Sequence, residues 1–194
     1  MTSTSRIAPT LAHAIWPAAG GLAALPRALV LMLAGTFVLA ISAKVQVPFW
    51  PVPVTLQSLA VLVIGMSFGL RLGTATLALY LVQGAIGLPV FASGAGLAYL
   101  AGPTAGYLFG FVAAAALVGW LAERGWDRTI WLSMAAMTLG TLVLMGSGVA
   151  WLATLIGFEQ AIASGFTPFI VGGLLKIVLG ALMLPSVWKL IERR

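Results

Sequence analysis

Apolar residues run along this chain in long blocks, and charged residues mark the gaps between them. Arg27 and Lys44 bracket sixteen uncharged residues, Lys44 and Arg71 bracket twenty-six, Arg71 and Glu123 bracket fifty-one, and Arg128 and Glu159 bracket thirty. A helix that crosses a bilayer needs about 20 mostly apolar residues. The fifty-one-residue block is too long for one crossing and holds two with a loop. The pattern therefore predicts six helices, near residues 27–45, 55–70, 72–91, 103–122, 129–151 and 166–190, the second of them short. Two-residue alternation is nowhere sustained, which argues against a β-barrel. The expected fold is an all-α integral membrane protein. It is a compact six-transmembrane-helix bundle, one domain over 27–194, behind an N-terminal interfacial or flexible segment over 1–26.

Composition supports that reading. Hydrophobic residues make up 61% of the 194 and charged residues 7%, against about 25% charged in a typical soluble domain. Such a chain cannot cover a water-facing surface, which excludes a soluble globular domain, a disordered chain and a nucleic-acid module. The net charge is +6, but the basic residues stand singly beside apolar spans, where they act as topology signals. With six crossings both ends share a side. That side receives Arg6, Arg27, Arg71, Arg124, Arg128, Lys189, Arg193 and Arg194, and the other receives only Lys44. The termini are therefore expected in the cytoplasm of a multi-pass cell (inner or plasma) membrane protein, with the loops near 46–54, 92–102 and 152–165 outside. The stretch Ile7–Leu25 is interrupted by Pro9, Pro17, Gly20 and Gly21. It reads as an interfacial segment rather than a cleaved signal peptide, and His13 in it as an exposed interfacial residue.

Polar chemistry is sparse. There is no cysteine and hence no thiol or disulfide chemistry. One His and four acids offer no metal cluster, and no GxxxxGK[ST] phosphate loop occurs. Glu123, Asp127 and Glu192 stand at cytoplasmic ends and Glu159 at an outer end, which disfavours a proton-driven pump. No acid–base pair supports a membrane enzyme, so no catalytic residue and no cofactor is expected. Lys176 is the exception. It lies about ten residues, or about 15 Å of rise, into the last helix, where a lysine costs about 2.5–3.5 kcal/mol on insertion scales. It should face the bundle interior, either donating to helix carbonyls or contacting a ligand. The preceding segment, Gly165-Phe166-Thr167-Pro168 through Gly172-Gly173, reads as an irregular helix start lining a cavity that opens outward.

Two other outer segments point to the same region. Val47-Pro48-Phe49-Trp50-Pro51-Val52-Pro53-Val54-Thr55 is stiffened by three prolines. Its Phe49 and Trp50 suit either an interfacial anchor or a lid, and Gln57 follows. Gly87-Leu88-Pro89-Val90-Phe91-Ala92-Ser93 leads to Gly102-Pro103-Thr104-Ala105-Gly106-Tyr107, which adds the hydroxyls of Ser93, Thr104 and Tyr107. Apolar walls with a few placed polar groups suit a small-molecule site. On the first helix Thr36 and Ala40 form a small-xxx-small pair, read either as internal packing or as a face that docks another membrane protein.

These strings carry a family resemblance. Pro48-Phe49-Trp50-Pro51-Val52-Pro53-Val54-Thr55-Leu56-Gln57, Gly87 to Phe91, Gly102 to Tyr107, and Pro168-Phe169 through Lys176 resemble the BioY family, the biotin-binding S components of energy-coupling-factor (ECF) transporters. The resemblance runs from about 28 to 190. It implies a six-helix bundle with cytoplasmic termini that captures biotin from outside with high affinity under a lid formed by 46–54. Its partners would be an ECF transmembrane coupling protein and two ATPase subunits, which would supply the energy this chain lacks a phosphate loop to draw. The resemblance strengthens the docking reading of Thr36 and Ala40. The substrate-binding set it suggests is Trp50, Gln57, Phe91, Ser93, Tyr107, Gly173 and Lys176. Phe91, Trp50 and Tyr107 would flank the bicycle and chain of biotin. Lys176 would donate to the ureido carbonyl or attract the carboxylate. Relatives often carry an acid three positions before the lysine. Here Gly173 offers only backbone, so Ser93 or Gln57 would accept the ureido N–H. A stand-alone homo-oligomeric biotin transporter without partners is the alternative.

Overall fold

The computed structural model describes residues 8–17 and 24–193. Arg6, Arg194 and segment 18–23 lie outside the described residues. Seven α-helices form among them: α1 Leu11–Ile15, α2 Ala24–Lys44, α3 Gln57–Ala85, α4 Ala105–Ala122, α5 Ile130–Ile156, α6 Phe158–Gly165 and α7 Phe169–Glu192. A 3₁₀ turn, Leu97–Ala101, and two short strands, β1 Gln46–Val47 and β2 Val54–Thr55, complete the set. Five helices, α2, α3, α4, α5 and α7, are long and apolar enough to cross a membrane. The chain is a multi-pass membrane protein.

The longest helical run, α3, is not straight. Gly69 sits at φ 82°, ψ −179°, a region open almost only to glycine, and the run doubles back there. A Cβ built on Gly73 would lie 3.1 Å from the Cα of Gly65, although eight residues of straight helix would separate them by about 12 Å. Gln57 and Tyr80, near the far ends, likewise lie side by side. The two arms, 57–68 and 70–85, thus replace the helices expected at 55–70 and 72–91. The second arm stops at Ala85 rather than 91, because Gly87 at φ 101° and Pro89 cannot continue it. At the bend the Glu123 carboxylate accepts from the Leu70 N–H at 2.9 Å. Gly119 of α4 packs so closely that a Cβ there would sit 2.6 Å from the Gly69 carbonyl carbon. Small residues let helix backbones approach in this way where lipid gives no hydrophobic drive to association.

Two further expectations are corrected. The loop expected at 152–165 is mostly helical: α5 runs on to Ile156, Gly157 at φ 84° ends it, and α6 follows at once. The segment expected to start irregularly is regular from Phe169, so Gly172 and Gly173 lie inside α7. Pro168 marks its start, where proline's missing N–H costs nothing.

Within the spans, several threonine and serine hydroxyls are satisfied by their own helix. Thr36 donates to the Leu33 carbonyl at 3.0 Å, Thr76 to Leu72 at 2.7 Å, Thr141 to Met137 at 2.8 Å and Ser147 to Val143 at 2.8 Å. Such back-bonding lets a polar residue sit at membrane depth.

The bend end gathers the charges. Arg27, Arg71, Glu123, Arg124, Asp127, Arg128, Lys189, Glu192 and Arg193 all lie there, and the other end carries Lys44 and Glu159. Asp127 is fully buried and accepts from the Trp188 indole N–H at 2.6 Å. The Arg128 guanidinium lies over that indole, 4.3 Å from its centre. Burial pushes the Asp127 carboxyl up from its ordinary value, and the indole hydrogen bond and Arg128 pull it back only in part.

Two outcomes are expected. Gly69→Ala should destabilise the bundle by about 1–3 kcal/mol, the cost of a strained backbone position, with added crowding against Glu123 and Thr10. The control Gly146→Ala, where a Cβ meets nothing within 4 Å, should be near neutral. Thermal unfolding in detergent checks both. The raised Asp127 pKa means the folded state keeps a proton that the unfolded chain has lost. That contribution to stability is therefore present at low pH and falls as pH rises from about 3.9 through the folded value. Asp127→Asn should flatten this part of the pH–stability profile, read by thermal unfolding across pH.

Candidate functional site

At the end opposite the bend, β1 and β2 pair antiparallel with Gln46 facing Thr55 and Val47 facing Val54. The segment expected as a loop is thus a β-hairpin. Pro48, Pro51 and Pro53 in its connection have no N–H to offer a ladder, so only two residue pairs form. Phe49 and Trp50 project from its tip, Trp50 being 77% exposed, while Val52 turns under and is 4% exposed.

Lys176 holds the base of this hairpin. Its Nζ donates to the Thr55 carbonyl at 2.5 Å and to the Ser58 hydroxyl at 2.9 Å. One ammonium therefore ties α7 to the strand β2 and to the first turn of α3. A cation removed from water needs such acceptors, and the hairpin end of the bundle is where they are found.

The second wall is the loop between α3 and α4. The Phe91 ring lies directly on Gly84, where any side chain would collide with it. It meets Tyr80 edge-on, with centroids 5.5 Å apart, and stacks on Tyr99 at 5.0 Å. Lys44 donates to the Phe91 carbonyl at 2.6 Å and the Tyr80 hydroxyl to the Val90 carbonyl at 2.7 Å. The third wall comes from α4 to α7. The Tyr107 hydroxyl donates to the Gly165 carbonyl at 2.7 Å, and its ring stacks on Phe169 at 6.1 Å.

These walls border a cleft under the hairpin. Its lining includes Val52, Pro53, Thr55, Gln57, Ser58, Tyr99, Thr104, Tyr107, Phe111, Leu144, Met145 and Phe169. A narrow crevice adjoins it, sharing Ser58, Leu144, Met145 and Phe169 and bounded further in by Thr141, Gly173 and Lys176. The surface is apolar with hydroxyls, one amide and one ammonium. Gln57 is 3% exposed, and its Nε2 has no hydrogen-bond partner among the described residues. An unpaired buried amide donor at the edge of a cleft is ready to bind a carbonyl or carboxylate oxygen.

Of the residues singled out from sequence, Gln57, Thr104 and Tyr107 line the cleft, and Lys176 and Gly173 line its extension. Phe91 is 1% exposed and lies behind Tyr99, which it supports, rather than in the cleft. Ser93 is exposed, and its neighbour Ala92 takes the lining position. Trp50 stands outside at the hairpin tip. Thr36 is buried and Ala40 half-buried, both facing the core; the outward face of α2 is instead made of Leu29, Val30, Leu33, Phe37, Val38 and Ile41. Ser58, Tyr99, Leu144 and Met145 were not singled out. Ser58 adjoins Gln57 in sequence, a signal that was available. Leu144 and Met145 lie in an unbroken apolar block and carry no local mark.

A sequence profile described as the BioY family matches residues 12–193. The chain is 40% identical over 149 residues to a biotin transporter BioY of Rhizobium etli, covering 72% of this chain and 79% of that one. It is 38% identical over 167 residues to a biotin transporter BioY of Thermotoga maritima, covering 84% and 98%. Among solved structures, the S component for biotin from an ECF-type ABC transporter superimposes with a TM-score of 0.75 at 23% identity, over 88% of this chain and 95% of that one. That likeness establishes a shared fold.

Proposed function

The chain belongs to the BioY family, and on that premise we propose that it is the biotin-capturing subunit of a membrane importer. Its role is transport and not catalysis, as the names of its relatives have it. The observation that carries the reading is Lys176, a single ammonium beside an apolar cleft, held by two groups that a ligand can replace. Biotin has an apolar bicycle, a ureido group and a carboxylate tail. The aromatic and aliphatic walls suit the bicycle and chain, with Tyr99 and Tyr107 in the flanking positions. The unpaired Gln57 donor and Lys176 suit its oxygen acceptors. Hydroxyls of Ser58 and Thr104 suit its N–H groups, a task that an acid at position 173 would otherwise serve.

Capture follows from this arrangement. Biotin enters from outside under the hairpin, and Lys176 exchanges one of its protein acceptors for an oxygen of the ligand. The hairpin base then responds to occupancy through the Thr55 carbonyl. Tyr107 and Phe91 are positioning residues, one fixing α6 through Gly165, the other backing Tyr99.

The doubling-back of α3 supports six crossings, with its two arms counted separately. The basic residues at the bend end support a cytoplasmic placement of that end and of both termini. The N-terminal segment then lies at the interface, where Ile15 at the end of α1 and Trp16 just beyond it are exposed. Energy comes from a transmembrane coupling protein and two ATPase subunits, so this chain needs no cofactor of its own. Thr36 and Ala40 set how closely α2 packs, and the apolar ridge of α2 from Leu29 to Ile41 is the docking face for the coupling protein.

Binding of labelled biotin to the purified protein in detergent, competed with unlabelled biotin and other vitamins, tests the reading. Saturable binding displaced by biotin alone is expected. Lys176→Met should weaken it by about 1.5–3 kcal/mol, the worth of a charged hydrogen bond. Absence of binding by a folded, monodisperse sample would overturn the assignment.

A further inference from the structure

A second polar cavity lies at the bend end, far from the ligand cleft. It is an open recess bordered by Thr10, His13, Arg27, Phe68, Arg71 and Glu123. Its walls come from four elements: α1 with the residues just before it, the start of α2, the α3 bend, and the end of α4. It shares no lining residue with the ligand cleft.

Its charges are arranged unequally. The Arg27 guanidinium is held rigidly, donating to the Trp16 and Ala12 carbonyls at 2.6 Å each, and keeps further N–H donors free of these bonds. Arg71 is exposed and makes no side-chain hydrogen bond among the described residues. His13 is exposed at the rim. The one carboxylate, Glu123, is committed to the Leu70 N–H at the bend. Two permanent cations thus face one engaged anion. Phe68 gives the cavity an apolar floor. On the same side of α2 as Arg27 stand the exposed Val30, Val38 and Ile41, while Ile15 at the end of α1 and Trp16 just beyond it are 66% and 46% exposed.

A cationic recess beside exposed apolar side chains matches one kind of molecule. We propose that this cavity binds the phosphate headgroup of an anionic glycerophospholipid, with Arg71 and Arg27 on the phosphate and the acyl chains along α2. Basic pockets between membrane helices on the cytoplasmic side bind anionic headgroups by this chemistry. The inference rests on the chain being membrane-embedded with this end in the cytoplasm, and not on the identity of the vitamin bound at the other end. Bound lipid would brace α1 against the bend and fill the groove beside the proposed docking face of α2.

The test is native mass spectrometry of the full, delipidated chain with phosphatidylglycerol, phosphatidylcholine or inorganic phosphate added. Phosphatidylglycerol should bind in preference to phosphatidylcholine. Arg71→Gln should weaken that binding about tenfold, the loss of one charge-assisted hydrogen bond. His13→Glu, which places a carboxylate at the rim, should do the same. Lys189→Gln, which removes a charge from the same end but outside the cavity, should leave it unchanged. Thermal unfolding of each variant checks folding, and biotin binding measured alongside separates this proposal from the assignment of the cleft. Equal effects of Arg71→Gln and Lys189→Gln would overturn the site, because binding would then follow net charge. Displacement of phosphatidylglycerol by millimolar inorganic phosphate would overturn the lipid and make a soluble phosphate the ligand.

Discussion

An ammonium group in a lipid-embedded bundle has to be surrounded by acceptors, and Lys176 obtains two of them from parts of the chain more than a hundred residues away. The Thr55 carbonyl and the Ser58 hydroxyl both sit where the hairpin joins α3. That pairing fixes three things together: the rotation of α7, the seat of the hairpin, and the polarity of the inner edge of the cleft. Truncating the lysine would remove a costly charge. It would also release the hairpin base and leave the cleft with no cation. The contact therefore joins the fold to the proposed binding chemistry at one atom.

Close backbone packing supplies the rigid frame for it. The bend at Gly69 brings Gln57 and Tyr80 to the same end of the molecule, and α4 seals the bend through Gly119 and Glu123. Gly84 does the corresponding work at the hairpin end, leaving room for Phe91, which carries Tyr99 into the cleft. These are geometric requirements rather than sources of large attraction. In lipid the helices gain little from burying apolar surface, so contact distance and internal hydrogen bonding decide how they assemble.

Much of this was legible in the pattern of charges. Breaks at Lys44, Arg71, Glu123 and Arg128 separated the helical blocks, and the break near Arg71 fell within two residues of the Gly69 bend. The ends of elements were harder to read. Residues 86–91 are apolar, so a hydropathy pattern extends the helix through them, yet Gly87 and Pro89 turn the chain and Phe91 becomes a wall support. Residues 152–165 have only one charge and look like a loop because they contain glycine and short polar side chains; Gly157 merely separates two helices. At the site, polar residues stood out against an apolar background, which is why Gln57, Tyr107 and Lys176 could be named in advance. The apolar lining from α5 could not, because Leu144 and Met145 have the same character as residues facing lipid. The orientation of Thr36 and Ala40 depends on the rotation of α2, which small residues alone do not specify.

The central claim is that biotin occupies the cleft beneath the hairpin, against Lys176. The chain contains no cysteine, so Thr104→Cys places a single thiol on the cleft wall. The rate at which a small maleimide modifies that thiol, measured with and without saturating biotin, tests the claim directly. The account predicts that biotin slows the reaction strongly, while other vitamins leave it unchanged. An unaltered rate in a variant that still binds biotin would place the ligand elsewhere and contradict the account.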